Sequence, residues 1–378
     1  MELLGKSQQE MREWMAALGE PAYRGAQLYH ALYAERRLDP GQVTNLPAAL
    51  RQRLSREARV TLPRVARRYA AADGTIRYVL EWAGLVRGTA PAGETAPSGE
   101  SAPVAGRGGA LPVQQPRTAA TIETVFMPEE ARQTICVSTQ AGCAVDCRFC
   151  LTATLGLIRN LSAGEILGQV LLALEENRAA LRPQTNVVLM GQGEPLLNYE
   201  PVFAALRILL DPGGVGLSPK HVTLSTSGVL PGIERMAQET VRPKLAVSLN
   251  ASHDEQRDRI MPINQKYPIA GLLAACRAYP LRPWEHLTFE YVLLGGFNDS
   301  VEDARRLARL VASLRCKVNL IPWNPGDLPY QQPRAGAVQE FRAVLTDKGV
   351  ANFVRRSRGQ EIKAACGQLA LAEAGSVP

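Results

Sequence analysis

The sequence contains no apolar run long enough to cross a membrane. A bilayer span needs roughly 18 to 20 apolar residues, and no uncharged run in this chain approaches that length. The first residues, MELLGKSQQEMREW, have no apolar segment behind a basic one and so lack the pattern of a secretion signal. We therefore expect a soluble cytoplasmic protein with no membrane partner.

The chain also lacks the features of a disulfide scaffold. Its 378 residues allow one large domain and a smaller one, which is enough to bury a real core. Its seven cysteines are an odd number in a sequence without a secretion signal. Because the cytosol keeps thiols reduced, we expect these cysteines to have a role other than forming structural disulfide bonds.

The positive charge is concentrated near the start of the chain. The formal net charge is +7, and residues 1–70 contain twelve Lys and Arg against seven Asp and Glu. Apolar residues recur there at helical spacing, as in Met11, Trp14, Met15 and Leu18. We predict a small basic helical domain over 1–70, whose arginines either form a solvated face or bind RNA phosphates.

Residues 71–128 have the pattern of a β-hairpin adaptor that carries an insertion. Asp73 and Gly74 form a plausible hairpin turn before an alternating segment over 75–82. In residues 86–119, 23 of 34 positions are Ala, Gly, Pro, Ser or Thr, which favours a disordered insertion. Strand-like alternation resumes over 121–126, and we expect it to pair with the interrupted hairpin.

Strand-like and helix-like segments alternate through residues 129–378. One helix opens with a capping box, in which Glu165 follows Ser162. Repeated strand-then-helix units predict an α/β fold with a parallel sheet, and six strands favour an open or partial barrel. The six strand candidates are 135–138, 186–190, 222–226, 245–249, 288–293 and 317–321.

Three cysteines lie together just after the first of these strands. Cys143, Cys147 and Cys150 have C-x3-C-x2-C spacing, which lets three thiolates converge on one soft metal centre. Structural zinc takes four ligands, and the four histidines show no zinc-like spacing. Zinc or three buried free thiols remain alternatives, but a 4Fe-4S cluster with one open iron suits a loop at a barrel mouth.

The cysteine motif resembles the signature of the radical S-adenosylmethionine (radical SAM) superfamily. Further segments are similar to the bacterial methyltransferases that act on adenine C2 of 23S ribosomal RNA and transfer RNA. This resemblance covers nearly the whole chain except residues 86–119. The segments that carry it are TICVS, GCAVDCRFC, RNL, MGQGEPLLN, VTLSTSG, NLIPWNP and RGQEIKAACGQLA.

The resemblance implies a role for particular residues of this chain. It assigns the cluster to Cys143, Cys147 and Cys150, a methylated intermediate to Cys366, a transient disulfide with it to Cys136, and proton acceptance to Glu123. It also implies S-adenosylmethionine as cofactor, 23S rRNA and tRNA as partners, and an electron donor such as flavodoxin or ferredoxin; apart from the resemblance, we expect a monomer by default. The residues that it assigns to S-adenosylmethionine are Gly193, Glu194, Ser225, Ser248, Leu249, Asn250 and Asn324.

Adenine chemistry explains why such an enzyme needs two thiols. The C2 atom has no lone pair and cannot attack a sulfonium methyl, whereas the Cys366 thiolate can. A radical formed on that methyl group then adds to C2, and release of the adduct needs a base and a second thiol. Without the resemblance, the pattern favours a small buried residue at Cys136, and Glu123 could equally be catalytic or solvent-facing. Cys276 and Cys316 are expected to be structural.

Three residues depart from the family pattern. Asn250 replaces an expected histidine, Gln192 an apolar residue and Glu361 an aspartate. Two other functions stay open: the related methylation of adenine C8, and RNA binding by a protein whose cluster is structural or redox-sensing.

Overall fold

Three helices form the N-terminal part of the protein. A computed structural model describes residues 1–82 and 121–370, so the predicted insertion over 86–119 lies outside the described residues. Ser7 caps the first helix in a capping box with Glu10, and Met11 and Met15 are buried on its inner face. The helices are α1 Gln8–Ala17, α2 Tyr23–Tyr33 and α3 Ala48–Glu57.

The hairpin predicted at Asp73 and Gly74 is confirmed, and it begins earlier than expected. Strand β1 (Arg64–Ala70) pairs antiparallel with β2 (Ile76–Glu81). The prediction of helix up to residue 70 is therefore wrong for residues 64–70. The seven-residue segment RVARRYA has too few apolar positions to distinguish a solvent-exposed edge strand from a helix.

The strand expected after the insertion pairs with the hairpin, as predicted. Strand β3 (Thr121–Pro128) is antiparallel to β2, with Glu81 opposite Thr121. It is also antiparallel to β4 (Arg132–Cys136), the first strand of the large parallel sheet. The hairpin therefore extends the same sheet that carries the candidate site.

All six predicted parallel strands are present, with small shifts at their ends. They are joined by helical crossovers, of which α4 begins at the predicted capping box of Ser162 and Glu165. After β4 the elements are β5 Gln140–Gly142, β6 Leu157–Asn160, α4 Ala163–Glu176, β7 Gln184–Leu189, α5 Tyr199–Leu210, β8 Val222–Thr226, α6 Leu230–Ala237, β9 Lys244–Ser248, α7 Asp254–Ile260, α8 Ile269–Ala278, β10 Leu287–Leu293, α9 Val301–Val311, β11 Cys316–Pro322, α10 Ala335–Asp347 and β12 Asn352–Val354.

The sheet is open, as a partial barrel requires. Its ten described strands run in the order β1-β2-β3-β4-β7-β8-β9-β10-β11-β12, and β5 pairs only with β6. From β4 to β12 the neighbours are parallel, so β12 adds a seventh parallel strand beyond the six predicted. It was missed because three residues, NFV, are too short to show an alternation.

The segment after β12 returns across the opening to the hairpin. Arg358 donates hydrogen bonds to the carbonyl oxygens of Asp73 and Pro128, at 2.7 and 2.6 Å. Ile362, Ala364 and Leu369 form a small buried cluster with Val125 of β3. We call residues 355–370 the C-terminal strap.

Two further features complete the architecture. The N-terminal helices pack against the barrel, where the hydroxyl of Tyr29 donates to Asp211 at 2.9 Å. Within the two ranges that the structure describes, no helix is both long and apolar enough to span a bilayer.

Candidate active site

A cavity opens where the parallel strands end, and it brings most of the predicted site residues together. The carboxyl ends of parallel strands lie at one edge of a sheet, so the loops that follow them converge. The cavity has a volume of about 170 Å³. The predicted residues in its wall are Cys143, Cys147, Cys150, Gly193, Glu194, Ser225, Ser248, Asn250, Asn324 and Cys366.

The cysteine loop is shaped by a close approach of two backbone segments. Gly142 has φ 74°, and a Cβ atom there would lie 1.8 Å from the carbonyl oxygen of Gly156. Glycine is therefore required, since a side chain would collide with the backbone. The N–H of Cys143 donates to that same oxygen at 2.9 Å. This contact fixes the start of the loop at the cavity wall.

Burial and the neighbouring thiols make Cys143 and Cys147 poor acids in the absence of a cation. Burial raises the pKa of Cys143 to about 12. It also raises the pKa of Cys147 well above the usual value, and the neighbouring Cys150 and Cys143 raise it further. A bound cationic centre would reverse this effect by stabilising the thiolates.

A second loop, after β7, presents Gly193 and Glu194. Gly193 has φ 100°, and a Cβ atom there would lie 2.6 Å from that of Gln140. Burial raises the pKa of Glu194, while the N–H and hydroxyl of Ser227 both donate to its Oε2 at 2.7 Å. The loop geometry thus depends on Gly193, and Ser227, which follows β8, holds the carboxylate of Glu194.

Polar groups from β8, β9 and β10 form another side of the cavity. The hydroxyl of Ser225 donates to Glu290 Oε2 at 2.8 Å, and Ser248 also bonds this carboxylate. Asn250 has the left-handed φ of 57°; its Oδ1 accepts from the N–H of Val292 at 2.9 Å. These contacts give the wall fixed hydroxyl, amide and carboxylate groups.

The C-terminal strap places Cys366 in the same cavity. Asn324 Nδ2 donates to the carbonyl oxygen of Cys366 at 3.0 Å, and the N–H of Leu151 donates to that of Gly367 at 2.8 Å. The Cys366 side chain is accessible from the cavity. Surrounding protein nevertheless raises the pKa of its thiol, and the carboxylate of Glu290 raises it further.

Three predicted residues do not line the cavity. Leu249 is fully buried, and its N–H donates to the carbonyl oxygen of Glu290 at 3.0 Å. Cys136, at the end of β4, packs against the cluster of Leu369, Ile362 and Val125 beneath the strap. Glu123 is completely buried and ion-paired with Arg77 at 2.6 Å, which differs from the solvent-facing alternative.

The comparisons with known proteins agree on one family. A model of the ribosomal RNA large subunit methyltransferase N-terminal domain matches residues 1–60, and a model of the radical SAM superfamily matches 137–308. The probable dual-specificity RNA methyltransferase RlmN of Koribacter versatilis is 43% identical over 94% of this chain and 97% of its own length. The chain belongs to the RlmN family of radical SAM RNA methyltransferases.

Other RlmN relatives and one solved structure support this membership. The dual-specificity RNA methyltransferase RlmN of Anaeromyxobacter dehalogenans is 44% identical and covers 97% of this chain and 91% of its own. The crystal structure of a radical SAM methyltransferase from Sphaerobacter thermophilus superposes with a TM-score of 0.84 at 39% identity, over 98% and 99% of the two chains. Membership implies a 4Fe-4S cluster and S-adenosylmethionine as cofactors.

Sequence reasoning missed two residues that shape this RlmN site. Glu290 of β10 lies in the cavity wall. Arg257 of α7 is fully buried and donates to the carbonyl oxygens of Ser227, Ser248 and Leu249 at 2.6 to 3.0 Å. The sequence does contain a signal for Glu290, since it is the one charged residue in the strand LTFEYVL. It contains none for Arg257, because an arginine in a helix is usually expected to face solvent.

Proposed function

We propose that this enzyme methylates C2 of adenine in 23S rRNA and tRNA through a methylated Cys366. The observation that carries the proposal is the shared cavity: Cys366 faces the same space as the three motif cysteines and the polar wall of β8 to β10. The relatives, named as dual-specificity RNA methyltransferases, support RNA as the substrate class.

The cavity has the donors that a three-cysteine cluster and S-adenosylmethionine need. Cys143, Cys147 and Cys150 would hold the cluster at three corners, so their sulfurs need not approach one another as the ligands of a single ion do. Consistently, no three His, Cys, Asp or Glu side chains in 1–82 and 121–370 are placed to hold one metal ion. Gly193 and Glu194 would contact the amino-acid end of S-adenosylmethionine.

Further cofactor contacts come from the polar wall. Ser225, Ser248, Asn250 and Asn324 line the cavity, and Leu249 contributes backbone only, because its side chain points into the core. When bound, the cluster and S-adenosylmethionine supply the methyl group and the radical step that joins its carbon to C2. An external electron donor such as flavodoxin or ferredoxin would reduce the cluster.

Cys366 would carry the methyl group to a ring carbon that cannot take it from S-adenosylmethionine directly. Its thiolate accepts a methyl group, which C2 cannot do because it has no lone pair. Asn324 and Leu151 donate to the carbonyl oxygens of Cys366 and of the following Gly367, so the strap presents the sulfur to the cavity in a fixed position. The sulfur then carries the methyl carbon to the substrate base.

Glu123 and Cys136 resolve the resulting adduct. The radical adduct would first return one electron to the cluster; Glu123 then takes the proton from C2, and the electron pair of that C–H bond stays with the ring. The Cys136 thiolate attacks the Cys366 sulfur, so an S–S bond forms as the S–C bond breaks, and the methylene carbon takes up a proton. The position of Cys136 directly under the strap supports this pairing.

The decisive test is replacement of the methyl-carrying thiol. Cys366→Ala in the reconstituted holoenzyme should abolish product, because the methyl group then has no sulfur to carry it to the base; Cys316→Ala, half-buried at the start of β11, serves as the control and should retain activity. The measurement is mass spectrometry of the modified nucleoside and of the Cys366 peptide. A C8-methyl product, or normal product from Cys366→Ala, would overturn the proposal.

A further inference from the structure

Gln192, one of the departures from the family pattern, contacts the proposed base. Its side chain is fully buried, and its Nε2 donates to Glu123 Oε2 at 3.2 Å. The other carboxylate oxygen accepts from Arg77 Nη1 at 2.6 Å. The two oxygens of Glu123 are therefore held from different elements, one from β2 and one from the loop after β7.

The backbone of Gln192 ties the same loop to β3 and β4. Its N–H donates to the hydroxyl of Ser138 at 2.9 Å, and that hydroxyl donates to the carbonyl oxygen of Glu123 at 2.6 Å. Its carbonyl oxygen accepts from the N–H of Thr139 at 2.8 Å. Since Gly193 comes next in the chain, Gln192 connects the proposed cofactor loop directly to Glu123.

One polar atom of this side chain has no partner. Among residues 1–82 and 121–370, the buried Oε1 of Gln192 accepts no hydrogen bond. Burying an oxygen without a donor costs free energy. A carboxylic acid offers an O–H donor that a carboxylate lacks, so proton uptake by Glu123 creates a donor for this oxygen once the amide group rotates.

We propose that Gln192 is a positioning residue for proton transfer to Glu123. The amide donates to the carboxylate before the transfer and accepts from the carboxylic acid afterwards, so the base stays in one orientation while the C2 proton moves to it. This inference rests on the proposed function, in which Glu123 takes that proton.

The charged surroundings of Glu123 make a pH profile informative. Within the ranges that the structure describes, Arg77 on β2 is ion-paired with Glu123, and Tyr69 on β1 lies against the Arg77 guanidinium at 4.5 Å. Cys136 on β4 is paired with Val125, two positions along β3 from Glu123, and burial raises the pKa of its thiol. Among these described groups, Glu123 is therefore the one on which an acid limb in the rate of adduct decay reports.

The test compares Gln192→Met with the native enzyme. Methionine has a similar volume but no donor, so the fold is retained and the hydrogen bond is lost. In single turnovers of the holoenzyme with an RNA fragment, the covalent RNA–enzyme adduct should decay about three- to tenfold more slowly, as expected for one hydrogen bond. The acid limb should move to higher pH, because loss of a donor raises the pKa of the carboxylate.

Two variants separate this effect from packing. Gln133→Met removes another buried glutamine, at the far end of β4, and should leave adduct decay and the acid limb unchanged. Gln192→Leu lacks the amide but differs in shape, and it should behave like Gln192→Met. A different acid limb in the two apolar variants would assign the effect to packing and overturn the inference.

The outcomes also distinguish this inference from the proposed function. Native adduct decay and an unmoved acid limb in a folded Gln192→Met overturn the role of Gln192 alone, provided that Glu123→Gln accumulates adduct. If Glu123→Gln accumulates no adduct, Glu123 is not the base, and both the inference and that part of the proposed function are wrong.

Discussion

Asn250 occupies a backbone conformation that few residues tolerate. Its φ of 57° lies in the left-handed region, where asparagine and histidine are enriched among residues other than glycine. The histidine expected from the family can adopt the same conformation. The replacement therefore preserves the backbone at the cavity wall, and it adds an amide that bonds Val292 and the sulfur of Met261.

We predict that Asn250→Ala lowers the free energy of unfolding by about 2–3 kcal/mol. The variant loses two buried hydrogen bonds and forces an alanine into the left-handed region. Asn250→Gly loses the same bonds without the conformational penalty, so it should be less destabilised. Urea unfolding of the three proteins measures the difference, and equal midpoints for the Ala and Gly variants would contradict this account.

At the scale of secondary structure, α9 depends on a buried aspartate at its start. Asp303 bonds the cap residue Ser300 and also accepts from Ser252 and Arg306 at 2.6 and 2.8 Å. Although burial alone would raise the pKa of Asp303, these hydrogen bonds hold it below its ordinary value. A depressed pKa means that the carboxylate stabilises the folded state above the unfolded pKa and loses that effect as the pH falls.

Asp303→Asn should therefore destabilise the protein at neutral pH by about 1–3 kcal/mol, the range expected for a hydrogen-bonded buried charge. The difference from the native chain should shrink as the pH falls below about 4, where this aspartate becomes protonated in the unfolded chain, and it should disappear once the folded carboxylate is protonated at still lower pH. Thermal unfolding at several pH values checks this, and a difference independent of pH would argue against an ionised Asp303.

The arginines of strand β1 are the second feature at this scale with a testable role. Arg64, Arg67 and Arg68 lie on β1, an edge strand, and all three are exposed. We predict that changing them to Gln weakens binding of an RNA fragment and flattens its salt dependence, since phosphate contacts release counterions. Changing exposed Arg305, Arg309 and Arg342 to Gln removes equal charge and should have little effect. If the β1 variant binds RNA with unchanged affinity, these arginines are only solvated and do not contact phosphates.

The insertion joins two strands that are already neighbours. Because Glu81 and Thr121 are paired, the chain needs only a short connection between β2 and β3. Deleting residues 89–112 should leave the melting temperature and methylation activity close to native values. Replacing the same residues with Gly and Ser provides a control for length, and loss of activity in both variants would show that the sequence itself has a role.

Across the whole molecule, the sequence predicted repeating patterns better than contacts made at a distance. Six parallel strands and the capping box of Ser162 repeat familiar spacings, and the cysteine motif is local. The burial of Glu123 against Arg77 could not be predicted, because it depends on how β2 and β3 pair across the insertion. The docking of the strap could not be predicted either, because Arg358 and the apolar residues of the strap contact a hairpin and a strand that are distant in sequence.

Docking of the strap also affects how often the thiols of Cys136 and Cys366 come into contact. Cys136 and Cys366 are on separate elements, so their encounter rate depends on the fraction of time that the strap stays docked. Arg358 anchors one end of it with three hydrogen bonds to the hairpin and β3. In the mechanism that we propose, the docked strap gives the two sulfurs a high effective concentration, and local opening of the strap would compete directly with disulfide formation.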